Sequence, residues 1–367
     1  MEVGKVVFKT IIPQIMISLL IGGIGLFSGD LSAQAQAKAS LNSQQRQQLY
    51  KLLQQGEKYV VAGNVNNALS IYRQAASLDR SNPKIFSSIG YLYASAGNFS
   101  SAVEAYQQAI SLAPDNGDFY YALGYSLAQL GDDKGAIAAY EKATVVQPQK
   151  ADNFVALGVL LVRNREYENV ETYFQRAIAL DPKNETAYDM MATALYQQEK
   201  NTEAIAFLET ALKKFPYNQD LRLKLATAYF KEQDFDAGLK ELKILEDSQP
   251  NNPQIIFKMG MVYEQTQDWE NALQAYEKAS ALDNNFLQAY GGIARILEQK
   301  EDQFGAIVAY RRFLELAPQN PYGYHRLGLL LKARGRNQEA QEMLSRALTI
   351  YQQQGNNEAV AQVQKEL

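Results

Sequence analysis

The sequence predicts an all-α solenoid, a stack of nine helix-turn-helix repeats with a C-terminal capping helix. Three observations carry this. Prolines fall at 114, 148, 182, 216 and 250, each 34 residues apart, and Pro318 stands two periods further on. Small residues keep the same step at Gly56, Gly90, Gly124, Gly158, Ala192, Ala226, Gly260, Ala294 and Gly328. Sixteen residues after each comes a bulky apolar one: Tyr72, Tyr106, Tyr140, Phe174, Leu208, Leu242, Tyr276, Tyr310 and Leu344. Such a period marks units that cannot bury their apolar faces alone and stack on their neighbours.

The first element is residues 1–35. Lys5 and Lys9 precede an apolar run from Ile15 to Phe27, and Ala33, Ala35 and Ala37 follow at alternate positions. This is the layout of a secretory signal peptide cleaved after Ala35 or Ala37. A retained membrane anchor is the competing reading. The run from Ile15 gives about 20 Å of helix, short of a hydrocarbon core of roughly 30 Å. Counting from Val6 makes it long enough but encloses Lys9 and Pro13. Under both readings Lys5 and Lys9 stay inside and the bulk of the chain lies in the periplasm, free or anchored to the inner membrane. Residues 36–48, rich in Gln, Ala and Ser, read as a linker entering the first helix near Asn42 and Ser43.

Residues 49–354 tile as nine units of 34 without insertion or deletion. Apolar residues at positions 4, 7, 8 and 11 of a unit share one helical face. Glycine at position 15 (Gly63, Gly97, Gly131 and Gly335) breaks the helix in two. The second helix carries positions 20, 24 and 27 and stops at the position-32 proline, which cannot continue it. The small residues at 8 and 20 are expected to meet, letting the two helices approach closely. Repeat four, with Val170 at position 20, and repeat six, with Ala226, Gly238 and Leu245, are expected to be looser or bent. Residues 355–367 read as the polar capping helix that a solenoid end requires.

The small residue at position 8, the A-x3-F/Y-x2-A run and the terminal Pro resemble the tetratricopeptide repeat (TPR) family over residues 49–354. The resemblance implies that the first helices line a concave groove and that the chain is a non-catalytic protein-interaction scaffold. Composition agrees with the second point. The 367 residues carry a net charge of −4, with no basic stripe for nucleic acid. There is no cysteine and one histidine, His325, which removes thiolate chemistry and most histidine catalysis. Phosphate loops, HExxH, GxSxG and EF-hand patterns are absent.

Function is therefore sought on positions 2, 5, 9 and 12, one stripe of each first helix. Tyr91, Tyr121 and Tyr125 form an aromatic zone suited to an apolar or extended peptide. Asp118, Asp152, Asp189 and Asp220 form an acidic band. Attraction of a basic partner segment is one reading of that band; loose gathering of Mn²⁺ or Ca²⁺ is the other, with no cofactor required. Arg295, His325 and Lys332 form a basic zone that could hold a partner's terminal carboxylate. The lysine and asparagine clamp of the family's co-chaperone branch is missing: Leu53, Glu57, Ser87 and Tyr91 stand at its positions. An exported chain of nine repeats is further similar to the processing-associated TPR proteins of cyanobacteria. That likeness implies a photosystem II assembly factor binding the C-terminal part of the D1 precursor and assisting manganese delivery. Cell-wall or outer-membrane assembly, and a membrane-anchored accessory subunit of an envelope enzyme or secretion machine, remain open alternatives.

Overall fold

The structure is a computed structural model that describes residues 41–367; residues 1–35, where an export signal or anchor is expected, lie outside the described residues, as does the start of the expected linker. The described residues form nineteen α-helices and no strand, and the chain divides after Gln198 into two compact units. The first unit holds α1 (Ser43–Val61), α2 (Val65–Leu78), α3 (Pro83–Ser95), α4 (Phe99–Leu112), α5 (Gly117–Leu130), α6 (Asp133–Val146), α7 (Ala151–Asn164), α8 (Val170–Leu180) and α9 (Glu185–Gln197). The second holds α10 (Asn201–Lys214), α11 (Gln219–Lys231), α12 (Phe235–Ser248), α13 (Pro253–Gln265), α14 (Trp269–Leu282) and α15 (Leu287–Gln299). It continues with α16 (Gln303–Leu316), α17 (Pro321–Ala333), α18 (Asn337–Gln353) and α19 (Asn357–Glu366). Odd-numbered helices from α1 to α17 are the first helices of the nine repeats. Repeat five gives α9 to one unit and α10 to the other.

Local chemistry sets each boundary. Asn42 caps α1 through a capping box with Gln45, so the helix starts at Ser43, the entry point the sequence indicates, although the linker range runs to residue 48. Second helices end two residues before the proline at position 32, because proline disfavours helical backbone in the residue ahead of it. The break between helices is more uniform than glycine alone suggests. All nine position-15 residues are left-handed: Gly63, Gly97, Gly131 and Gly335, but also Arg165, Glu199, Gln233, Gln267 and Glu301 at φ between 60° and 62°. Most entering side chains at position 16 then cap the second helix, as Asn64, Asn98, Asp132, Asp234, Asp268 and Asp302 do.

Position 34 carries a second set of caps. Asn82, Asn116, Asn184, Asn218, Asn252 and Asn320 each accept a backbone N–H from the first turn of the next first helix. Asn252→Ala is expected to cost about 1 kcal/mol, read as a lower urea midpoint for the second unit with an unchanged slope.

Packing within a hairpin includes the expected meeting of positions 8 and 20, as at Gly328, where a Cβ would come within 3.3 Å of the Ala340 carbonyl oxygen, but position 24 comes closer. The position-8 residue faces the position-24 ring. A Cβ on Gly90 would come within 2.9 Å of the Tyr106 ring, one on Gly158 within 2.7 Å of Phe174, and one on Gly260 within 2.7 Å of Tyr276. The small residue lets the ring lie flat against the opposing backbone. All nine position-24 side chains are buried, as are the alanines at position 20.

Repeat four departs as expected, for an identifiable reason. Glu166 stands where six repeats place Asn or Asp, Asn169 turns left-handed at φ 61°, and α8 begins three residues late with 11 residues against 14 for α6. Repeat six does not depart. Its helices are full length, Asp234 caps α12, and the Phe230 ring lies over Gly238 where a Cβ would otherwise stand. In repeat eight, Phe313 replaces the position-27 alanine and is accommodated by Gly291 and Gly323 on the neighbouring first helices.

Candidate partner-binding face

First helices of successive repeats touch one another, α3 with α5 and α7 with α9 in the first unit, α13 with α15 in the second. Part of the 2-5-9-12 stripe is therefore consumed by packing. Tyr121 is 1% exposed and Tyr125 8%, so the two are core and not the open aromatic zone expected of them. Tyr121 meets the Tyr140 ring edge-on at 5.5 Å, and Tyr125 meets Phe99 at 6.1 Å. Tyr91 is half-buried. Burial raises all three hydroxyls above the usual tyrosine range, Tyr121 most, with Tyr140, Asp152 and Tyr125 adding to it.

The acidic band is not one site. Asp118 accepts from the Lys150 ammonium at 2.7 Å, and that ammonium also lies 6.0 Å from the centre of the Tyr121 ring. Lys150 occupies position 34, where six other repeats use Asn, and α7 accordingly lacks a side-chain cap. Asp189 is half-buried, whereas Asp220 is exposed in the first turn of α11, in the second unit. Among the described residues no three His, Asp or Glu side chains gather as a metal ion would need, so the geometry gives the Mn²⁺ or Ca²⁺ expectation no support.

Asp152 stands apart. Burial pushes its carboxyl up, Lys150 opposes this, and Asp181 and Asp118 add to the rise. A carboxyl whose folded value is raised lowers stability as pH rises through it. Glu264 in the second unit has the opposite sign: burial pushes it up, but hydrogen bonds from Arg295 and Tyr276 bring it below the ordinary value. Its contribution is complete at neutral pH and is lost as pH falls through the ordinary glutamate range, near about 4.3, and below. Asp152→Asn should therefore raise neutral-pH stability of the first unit. Glu264→Gln should lower that of the second unit and flatten its acid side, both read from urea midpoints between pH 3 and 8.

The basic zone is paired within the chain. Arg295 on α15 makes two bonds of 2.9 Å to Glu264 on α13, and Tyr276 on α14 donates to the same carboxylate at 2.5 Å. One repeat on, Glu298 on α15 takes Arg326 from α17 and the Tyr310 hydroxyl at 3.0 Å. At the end, Glu366 on α19 takes His325 with its carboxylate and Lys332 with its carbonyl at 2.6 Å. His325 is 6% exposed. Arg295 forms a rung between consecutive first helices, and His325 and Lys332 are held by α19, so the three do not make a vacant clamp.

Tyr276 and Tyr310 occupy position 24, and the glutamates sit at position 12 of the same repeats. Repeat three has Tyr140 at position 24 but Ala128 at position 12, and the Tyr140 hydroxyl is buried without a hydrogen bond. The same change should then have unequal effects. Tyr140→Phe removes an unsatisfied hydroxyl and should be neutral to stabilising by about 1 kcal/mol, whereas Tyr310→Phe should cost about 1.5–3 kcal/mol. Paired urea unfolding curves would compare them.

Large side chains left open on the stripe are Tyr50 (58% exposed) in repeat one, Tyr196 (36%) in repeat five, and a group in repeats seven to nine. Met261 (50% exposed), Tyr322 (45%) and the Arg295 guanidinium are accessible beside half-buried Phe257 and Leu329. Sequence reading passed over Met261 and Tyr322, although positions 9 and 2 put them on the stripe. A cleft of about 410 Å³ among α10, α11 and α12 has self-paired walls, Arg222 with Glu241 and Tyr229 with Glu209 at 2.6 Å. The Glu209 bond, with burial behind it, raises the Tyr229 hydroxyl to about 12.

Tetratricopeptide repeat profiles match residues 87–154, 155–219 and 257–321, more than half of the chain, and related profiles match 195–256 and 309–342. The chain belongs to the tetratricopeptide repeat family. TPR proteins are protein-interaction scaffolds, typically non-catalytic, and some bind peptides. No curated protein matches the chain. Among solved structures, a TPR protein from Parabacteroides merdae is similar at 15% identity and a TM-score of 0.48, covering 68% of this chain and 99% of its own. PilF of Pseudomonas aeruginosa is similar at 17% identity and a TM-score of 0.46, over 62% of this chain and 99% of its own. YrrB, a TPR protein with an unusual peptide-binding site, is similar at 20% identity and a TM-score of 0.43, over 51% and 96%.

Proposed function

We propose that this TPR chain is a non-catalytic assembly scaffold of the cell envelope that grips an extended segment of a membrane-protein partner. The observation that carries the reading is the open part of the stripe in repeats seven to nine. Met261 and Tyr322 are large apolar side chains left exposed on first helices whose other large apolar residues are mostly buried, and such surface marks contact sites. Arg295 between them in sequence adds donors to an apolar face, which suits a segment with apolar and acidic side chains. Export rests on the order basic, apolar, small in residues 1–37.

The test is site-specific photo-crosslinking in cells from position 261, 322 or 304. Phe304 is more exposed still (67%) but lies on the second helix α16. The same partner band from 261 and 322, and none from 304, is the supporting result; equal crosslinking from 304 overturns it. Under the finer reading the chain acts like the cyanobacterial processing-associated TPR protein PratA, in photosystem II assembly. The crosslinked partner is then the D1 precursor through its C-terminal part, and manganese delivery follows. Partner identification by mass spectrometry tests that directly. A mature N-terminus near Gln36 or Lys38 supports a free periplasmic factor; an intact Met1 in the membrane fraction supports the anchored accessory subunit.

A further inference from the structure

The ladder of rungs in the second unit ends differently from the way it runs. Glu264 and Glu298, which hold Arg295 and Arg326, belong to α13 and α15, whose buried residues tie them firmly into the stack. The partner of His325 and Lys332 comes instead from α19, where Glu366 meets His325 with its carboxylate and Lys332 with its backbone carbonyl. That helix buries a single residue, Val363, with Ala359 and Val360 half-buried and the rest of its length exposed apart from Glu366. It follows a stretch, Gln352–Asn356, that is exposed throughout and includes Gly355 in the left-handed region at φ 70°. The best-buried of the three basic-zone residues, His325, is therefore covered by the least-buried helix. The seat beneath has three parts: the His325 imidazole, the Lys332 ammonium and the apolar pocket of the core that takes Val363. Val363 and Glu366 are three residues apart, so one helical face presents both.

We propose that this face of α17 is a docking position for an acidic helical segment of a protein partner, one carrying an apolar residue and a glutamate three residues later. In this view α19 is the tethered occupant that such a segment displaces. The tether gives α19 an effective concentration a free segment must exceed, so the site is mostly closed until a partner of that chemistry arrives. This rests on the scaffold reading above and names the chemistry of one of its partners.

The test uses the full chain, its Glu366→Ala and Glu366→Gln variants, and Glu366→Ala combined with Lys332→Ala. The probe is a fluorescein-labelled, amidated peptide with the sequence of residues 357–367, together with its Glu366→Gln form, followed by anisotropy. Weakening the latch should tighten binding of the glutamate peptide about tenfold over the unaltered chain, as expected when a site about nine-tenths closed is opened. The glutamine peptide, and the variant lacking Lys332, should lose most of that gain. Equal binding to the unaltered chain and both Glu366 variants overturns the proposal, as does equal binding of the two peptides. Hydrogen exchange on the unaltered chain gives a readout independent of any substitution: α19 amides should exchange at least tenfold faster than those of α17. Equal protection makes α19 a permanent cap and also overturns the proposal. A second peptide pool, random except for Val-x-x-Glu or Val-x-x-Gln, asks whether sequences other than the chain's own tail dock, and enrichment of the glutamate pool is the expected result. No enrichment restricts the seat to α19 and overturns the partner assignment. Failure of crosslinking from 261 and 322 with these peptide results intact would count against the broader scaffold reading alone.

Discussion

Tyr276→Ala is expected to destabilise the second unit by about 3–5 kcal/mol, the range for removing a large buried ring. The ring is fully buried and lies between two glycines on successive first helices. A Cβ on Gly260 would come within 2.7 Å of it, and one on Gly292 within 2.6 Å. No side chain on either flank can lean in to fill the space, so the cavity should stay largely open and the cost should fall in the upper half of the range. Phe257, whose ring is 5.3 Å away, loses a partner as well. The hydroxyl adds an electrostatic part, because Glu264 would lose one of the two groups that hold it ionised. Tyr276→Phe isolates that part and should cost about 1.5–3 kcal/mol. Trp269 is the single tryptophan of the chain and packs against the same core cluster, so its fluorescence reports unfolding of this region. A loss under 1 kcal/mol for the alanine variant would mean that α13 and α15 close over the gap, contrary to the ring's role as a spacer.

Most of the fold was legible because the 34-residue period places every residue type in the same surroundings nine times. Burial at positions 8, 20 and 24 follows from it directly. Two further signals were present and unread: the asparagine at position 34, and opposite charges spaced close to one period. Asp118 and Lys150 are 32 residues apart and Glu264 and Arg295 are 31 apart, the spacing that brings consecutive first helices side by side. A search for that spacing would have marked the basic zone as internally paired. The partner-facing residues were harder. Tyr125 and Met261 share position 9, yet one is 8% exposed and the other 50%. The difference depends on how the surrounding side chains and neighbouring first helices pack, which depends on every side chain between them and not on the residue at the position itself. The same holds for Tyr121 and Phe257 at position 5, one sealed and the other half-buried.

Replacing the five non-glycine residues at position 15 with glycine is expected to stabilise the chain by about 2.5–5 kcal/mol in total, spread over both units. Arg165, Glu199, Gln233, Gln267 and Glu301 all hold φ near 60°, where a Cβ crowds the following carbonyl at about 1–2 kcal/mol per residue. Glycine relieves this but brings a more mobile unfolded chain, returning about 0.5–1 kcal/mol, so each site should gain roughly 0.5–1 kcal/mol. The sites lie one repeat apart in sequence and share no hydrogen-bond partner, so the gains should nearly add. The chain itself supplies the reference, since the other four repeats already use glycine there. Gly131, at φ 82° with nothing within 4 Å of where its Cβ would lie, offers the reverse experiment: Gly131→Gln meets no clash and should cost only the backbone term. Repeat arrays need not unfold in one step, so the gains should be read by hydrogen exchange repeat by repeat as well as by urea. If the five-glycine chain melts at or below the original, then the side chains at position 15 hold contacts that outweigh their strained backbone, and the uniform left-handed turn is a consequence of packing rather than a cost carried in spite of it.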